Sequence, residues 1–122
     1  MGKSIKIGLL GSGTVGSGVI RVLEMNRPQI TERVGTPIEI KTVLVRDVMK
    51  PRPQLGCVKL TDKIEDILDD PEIDVVDITS PNHMHKEMAL AAIAAGKHVL
   101  VEKAFTRNAA EAAQVVAAAQ AQ

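Results

Sequence analysis

Residues 5–19 constrain this chain more than any other stretch. Ile5-Lys6-Ile7-Gly8-Leu9-Leu10 reads as a short apolar strand that runs directly into Gly11-Ser12-Gly13-Thr14-Val15-Gly16, after which an apolar-periodic helix opens. A strand, a GxGxxG turn and a helix in that order suit a dinucleotide pyrophosphate. The first glycine permits the tight turn. The second lets the backbone approach the phosphates with no Cβ in the way, and the third lets helix and strand pack closely. The helix N-terminus then offers free N–H groups and the positive end of its dipole to the anion.

Length and charge bound the rest. A chain of 122 residues is one domain, 1–122, large enough to bury a core and short for a dehydrogenase that also carries a substrate domain. Lys plus Arg and Asp plus Glu are 15 each, so no excess of charge steers the chain towards nucleic acid. The Lys50-Pro51-Arg52 segment is too short to change that. The single Cys57 excludes an internal disulfide and fits a reducing compartment. No signal-peptide core and no apolar run approaching membrane length is present, so the expectation is a cytoplasmic domain with no membrane partner.

Alternating strand and helix patterns follow the glycine turn. The helix from about Thr14 runs through Ile20, Val22 and Leu23; Pro28 either kinks it or starts a new turn carrying Ile30 and Val34. Gly35 and Pro37 form a stop before a second strand at Ile38–Val45. Residues 46–57 read as a loop, Val58–Leu60 as a short strand, and Asp62 as the cap of a helix with Glu65 three residues on. Asp74–Thr79 is a buried strand, Glu87–Ala95 a helix closed by Gly96, and His98–Val101 a fifth strand. Asn108 caps a last helix whose Ala110, Ala113, Val116 and Ala117 make one stripe. Strands separated by helices predict an α/β fold: a doubly wound parallel sheet in three layers, strand order 3-2-1-4-5, with ligands at the carboxyl ends of the strands.

Three further segments end at that edge. After strand two come Arg46 and Asp47. An acidic side chain there hydrogen-bonds the adenosine ribose, whereas arginine pairs with a 2′-phosphate. Arg46 follows the strand directly and tilts the reading towards NADP, with NAD open and a solvated strand end as the plain alternative. After strand four comes Thr79-Ser80-Pro81-Asn82-His83-Met84-His85, near where the nicotinamide ribose belongs. Its hydroxyls and Asn82 suit sugar and carboxamide. His85 is suited equally to ordering the loop or capping the helix and to meeting cofactor, and two histidines without Cys or acid partners make no metal site. After strand five come Glu102 and Lys103. A lysine there orients a substrate oxygen or shuttles a proton at the nicotinamide face, or else pairs with Glu102.

These runs carry a resemblance in two parts. Residues 6 to about 74, through Ile7–Val19, Pro37–Lys41 and Val43–Asp47, resemble the N-terminal domain of homoserine dehydrogenase. Residues from Asp77 on, through Thr79–His85 and Ala95–Lys103, resemble the glucose-fructose oxidoreductase and inositol dehydrogenase family. Both likenesses imply a Rossmann scaffold that binds NAD or NADP for hydride transfer. They imply that Gly11, Ser12, Gly13, Thr14, Val15 and Gly16 hold pyrophosphate and that Arg46 and Asp47 meet the adenosine end. Thr79, Ser80, Pro81, Asn82 and His85 then line the nicotinamide side with Glu102 and Lys103. Lys103 matches the lysine of a Glu-Lys-Pro motif, but Ala104 stands in place of its proline, as in the Asn-Lys-Ala of homoserine dehydrogenases.

Both families continue into a substrate domain, so the resemblance implies a dinucleotide-binding module without efficient turnover. The alternatives are a dehydrogenase subunit completed by a partner and a chimera that folds without binding. All fourteen alanines lie from Ala89 onward. That step, with the change of resemblance between residues 62 and 77, motivates the expectation of two sequence sources in an engineered or reconstructed domain; Ala-rich helices are the simpler account. A fifth strand left at the sheet edge predicts self-association there.

Overall fold

The computed structural model describes residues 4–11, 13–50 and 58–122, and only the backbone of Thr14; Ser12, Pro51, Arg52, Pro53, Gly56 and Cys57 lie outside the described residues. In chain order the elements are β1 (Ile5–Leu10), α1 (Thr14–Met25), α2 (Arg27–Val34), β2 (Ile38–Leu44) and β3 (Lys59–Thr61). They continue with α3 (Glu65–Leu68), β4 (Val75–Ile78), a 3₁₀ turn (Asn82–Met84), α4 (His85–Ala94), β5 (His98–Val101) and α5 (Ala109–Gln120). The five strands are all parallel in the order β3-β2-β1-β4-β5, the topology that the alternating pattern predicts.

Local sequence sets the punctuation. Pro28 starts α2 rather than kinking α1: Asn26 leaves the helical region and the proline occupies the first turn, where its missing N–H has no helical partner to lose. Gly35 ends α2 at φ +90°, with its N–H on the Thr31 carbonyl. Asn108 caps α5, its Oδ1 accepting the Glu111 N–H at 2.9 Å. Asp62 does not cap α3. The hydroxyl one residue earlier does the local bonding, with Thr61 Oγ1 accepting the Lys63 N–H at 3.1 Å and donating to the Asp66 carboxylate.

Two apolar cores lie on opposite faces of the sheet. Leu10, Val76 and Ile78 pack with Ile67 and with Met88, Ala89, Ala92 and Ile93 of α4 on one face. Leu9, Val43 and Val45 pack with Ile20 of α1 on the other. On α5 the inward residues are Glu111 and Val115, while the predicted stripe of Ala110, Ala113, Val116 and Ala117 is exposed. An Ala-rich helix has too little contrast between its faces for periodicity to pick one. Buried Glu111 is held by an ion pair with Arg107 at 2.7 Å, which keeps its carboxyl below the usual range.

The two ends of the sheet are treated differently. Towards the N-terminal ends, β2 carries one extra residue between the pairs Ile7–Ile40 and Gly8–Thr42. That residue, Lys41, pairs with Asp70 at 2.6 Å and Glu72 at 2.8 Å, and Lys6 joins Glu72 at 3.2 Å. At the carboxyl ends the ladder runs one residue past the strands: Gly11, Val45, Thr79 and Glu102 donate to Leu44, Thr61, Leu10 and Ile78. Four loops therefore leave the sheet along one edge.

Asp77 of β4 is the exception inside the sheet. It lies between Leu9 of β1 and Leu100 of β5, is 6% exposed, and has no hydrogen bond or ion pair among the described residues. Burial raises its carboxyl above the ordinary aspartate range, and Glu102 adds to that. The folded state holds this proton longer than the unfolded one, so the group lowers stability as pH rises from the ordinary value of about 3.9 through its raised value. Asp77→Asn should therefore melt higher than the unsubstituted chain at pH 7, with the difference closing as pH approaches 4. A constant difference across that range contradicts the assignment.

Candidate functional site

A cleft of about 820 Å³ opens along the carboxyl edge. Its floor and walls come from the loops that follow β1 to β4: Gly11 and Gly13 after β1, Leu44 to Asp47 with Lys50 after β2, Asp62 after β3, and Thr79, Ser80, Pro81, Met84 and Met88 after β4. Placing ligand at this edge, where the strand order reverses between β1 and β4, follows from the topology.

The glycine turn is built for close approach. Gly11 sits at φ +111°, and a Cβ there would meet the Ser80 nitrogen at 3.1 Å. A Cβ on Gly16 would lie 2.5 Å from the Gly11 carbonyl oxygen and 2.9 Å from Thr79 Oγ1, so α1 could not seat on the turn. Gly13 differs: a Cβ there meets nothing within 4 Å, because the space before it faces the cleft. Gly13 is also the N-cap of α1, with no side-chain cap and no acidic residue in the first turn. An uncapped, acid-free helix end beside open space fits a pyrophosphate, whose oxygens would take the orphan N–H groups. Val15 is exposed in that first turn.

Thr79 locks this turn to β4. Its N–H donates to the Leu10 carbonyl at 3.0 Å, and its hydroxyl lies 3.3 Å from Leu10 O and 3.2 Å from Gly11 O. Ser80 Oγ donates to Met88 Sδ at 3.0 Å. At the far end of the cleft, Asp47 Oδ1 accepts the Met49 N–H at 2.9 Å and so shapes its own turn. Arg46 is exposed and has no ion pair among the described residues.

Of the residues that sequence reasoning singles out, Gly11, Gly13, Arg46, Asp47, Thr79, Ser80 and Pro81 come together in the cleft. Asn82 is exposed at the start of the 3₁₀ turn and is absent from the lining. His85 is fully buried, its ring nitrogens 2.7 Å from the carbonyl oxygens of Ser80 and Ala104, so it orders loops and presents no atom to the cleft. Glu102 accepts the backbone N–H of Lys103 at 3.0 Å, and no ion pair joins the exposed Lys103 ammonium to a carboxylate among the described residues. The Lys103–Ala104 peptide bond is cis.

Sequence reasoning missed Lys50, Asp62, Met84 and Met88. Lys50 shares a loop with Arg46, and the two methionines sit four residues apart, a helical spacing that was legible in outline. No cluster of three metal-ligating side chains occurs among the described residues, nor any helix long and apolar enough to cross a membrane.

Gly16→Ala should weaken dinucleotide binding by at least about tenfold, since the added methyl drives α1 off the turn whose orphan N–H groups would take the phosphate. Calorimetric titration of the variant, with its melting temperature as a folding control, checks this; full affinity would contradict the packing role.

Comparison with known proteins agrees with this geometry. Residues 5–122 match the model of the oxidoreductase family with an NAD-binding Rossmann fold, GFO/IDH/MocA. Homoserine dehydrogenase of Bacillus subtilis is 39% identical over 100 residues, covering 80% of this chain and 23% of that protein. Levoglucosan dehydrogenase of Pseudarthrobacter phenanthrenivorans is 56% identical over 45 residues, 37% of this chain and 12% of that protein. The crystal structure of an NAD binding oxidoreductase from Klebsiella pneumoniae superimposes with a TM-score of 0.87 at 34% identity, over 98% of this chain and 32% of that one. The chain thus spans less than a third of each of these relatives. Both halves of the resemblance reappear, but the family match runs unbroken across residues 62–77 and gives no support to two sequence sources. With its glycine turn, parallel sheet and edge cleft, the chain belongs to the oxidoreductase family with an NAD-binding Rossmann fold.

Proposed function

We propose that this chain is the cofactor-binding part of an oxidoreductase and that it prefers NADP to NAD. The observation that carries the preference is the contrast between two neighbours at the end of β2. The Asp47 carboxylate is engaged on the Met49 N–H, while the exposed Arg46 guanidinium stands at the cleft without an ion pair among the described residues. Lys50 lines the same end and adds a second cation for a 2′-phosphate. On this reading Gly11, Gly13 and the first turn of α1 hold pyrophosphate, and Thr79, Ser80 and Pro81 face the nicotinamide half.

The bound nicotinamide would supply or accept hydride. The chain's own contribution is orientation and exclusion of water, with Lys103 as the residue that meets a substrate oxygen. Its ammonium has no ion-pair partner among the described residues, which suits that role. The substrate class follows the relatives' names, an amino-acid alcohol such as homoserine or a sugar derivative such as levoglucosan. Selection between them belongs to parts that the longer relatives carry.

The test is titration of Arg46→Ala with NADPH and NADH. Loss of the guanidinium–phosphate contact should weaken NADPH by roughly tenfold or more and leave NADH nearly unchanged. Equal effects on the two, or none, would overturn the preference.

A further inference from the structure

His85 occupies an unusual position for a polar side chain. It is the first residue of α4 and is fully buried, with Nε2 2.7 Å from the Ser80 carbonyl oxygen and Nδ1 2.7 Å from the Ala104 carbonyl oxygen. A carbonyl oxygen only accepts, so the ring N–H of His85 donates to backbone here, and the ring as a whole sits between the two carbonyls. Ser80 belongs to the loop after β4 that lines the cleft. Ala104, 19 residues beyond His85, belongs to the loop after β5 that carries Glu102 and Lys103. Beyond the strand ladder, this ring is the one side-chain hydrogen-bond link between the two loops among the described residues.

We propose that His85 is a positioning residue that sets the nicotinamide half of the site without touching the cofactor, by fixing the Ser80 and Lys103 loops to each other. The inference rests on the cofactor-binding reading above. Its physical basis is that a buried ring bonded at both ends leaves neither carbonyl free to turn. Removing it breaks the bridge between the two carbonyls, and the loops would then be free to move apart. The adenosine half, built on Gly11, Gly13 and Arg46, shares neither contact.

The test compares two ligands on the full chain: NADPH, and 2′-phospho-ADP-ribose, the same molecule without nicotinamide. His85→Leu removes both ring contacts, while His85→Asn and His85→Gln each place an amide near one of them, in place of Nδ1 and Nε2 respectively. The expected result is a loss of about tenfold in NADPH affinity for the leucine variant, unchanged affinity for the fragment, and partial rescue by either amide. Equal loss on both ligands would mean a merely structural role and overturn the proposal, as would an unchanged ratio. If the leucine variant does not fold, the two amide variants carry the same comparison. Failure of the unsubstituted chain to bind either ligand would instead sink the cofactor-binding reading itself.

Discussion

The contact among Gly11, Gly16 and Thr79 governs this molecule. With 2.5 Å between a hypothetical Gly16 Cβ and the Gly11 carbonyl oxygen, the first turn of α1 can lie on the β1 turn only if no side chain intervenes. Thr79 then ties that turn to the end of β4 through its N–H and hydroxyl. Two neighbouring parallel strands therefore deliver their loops to one point, and the uncapped N-terminus of α1 is aimed at the gap between them. The apolar cores on either face make the sheet stable, but this contact shapes the cleft at its carboxyl edge.

Polar groups are distributed so that the two ends of the sheet do different work. Lys41, extruded by the bulge in β2, gathers Asp70 and Glu72, and Lys97 caps the carbonyls of Asp70 and Ile73 at 2.6 and 2.9 Å. These exposed or half-exposed pairs contribute little individually, but they satisfy the charges at that end locally. At the other end Arg46 and Lys50 line the cleft with the acids Asp47 and Asp62. His85 shows a third use of polarity, a buried ring held between backbone carbonyls of two loops.

Much of this was legible in the sequence wherever one residue type has one physical reason to be present. Gly11 and Gly16 of the β1 turn, Gly35 after α2 and Asn108 before α5 each answer a packing or backbone requirement that few other residues meet, and the structure uses them as the sequence predicts. The strand order followed from alternation and the handedness of crossovers. Where two neighbouring residues offer similar chemistry, sequence could not choose: Thr61, not Asp62, makes the local turn, and α3 begins without a side-chain cap. Where contrast is low, as along the Ala-rich α5, it left open which face is inward. The reach of Lys50, Asp62 and the two methionines into the cleft depends on how loops from four strands converge, which no local pattern encodes.

The central claim is that dinucleotide binds along the carboxyl edge, with its pyrophosphate on the β1 turn. A titration of isotope-labelled chain with NADPH, followed by amide chemical shifts, tests it residue by residue. The account predicts saturable shifts concentrated at Gly11 to Gly16, Arg46 to Lys50 and Thr79 to Ser80, with the Lys41–Asp70–Glu72 end unmoved. Absence of saturable shifts, or shifts centred away from that edge, would contradict it.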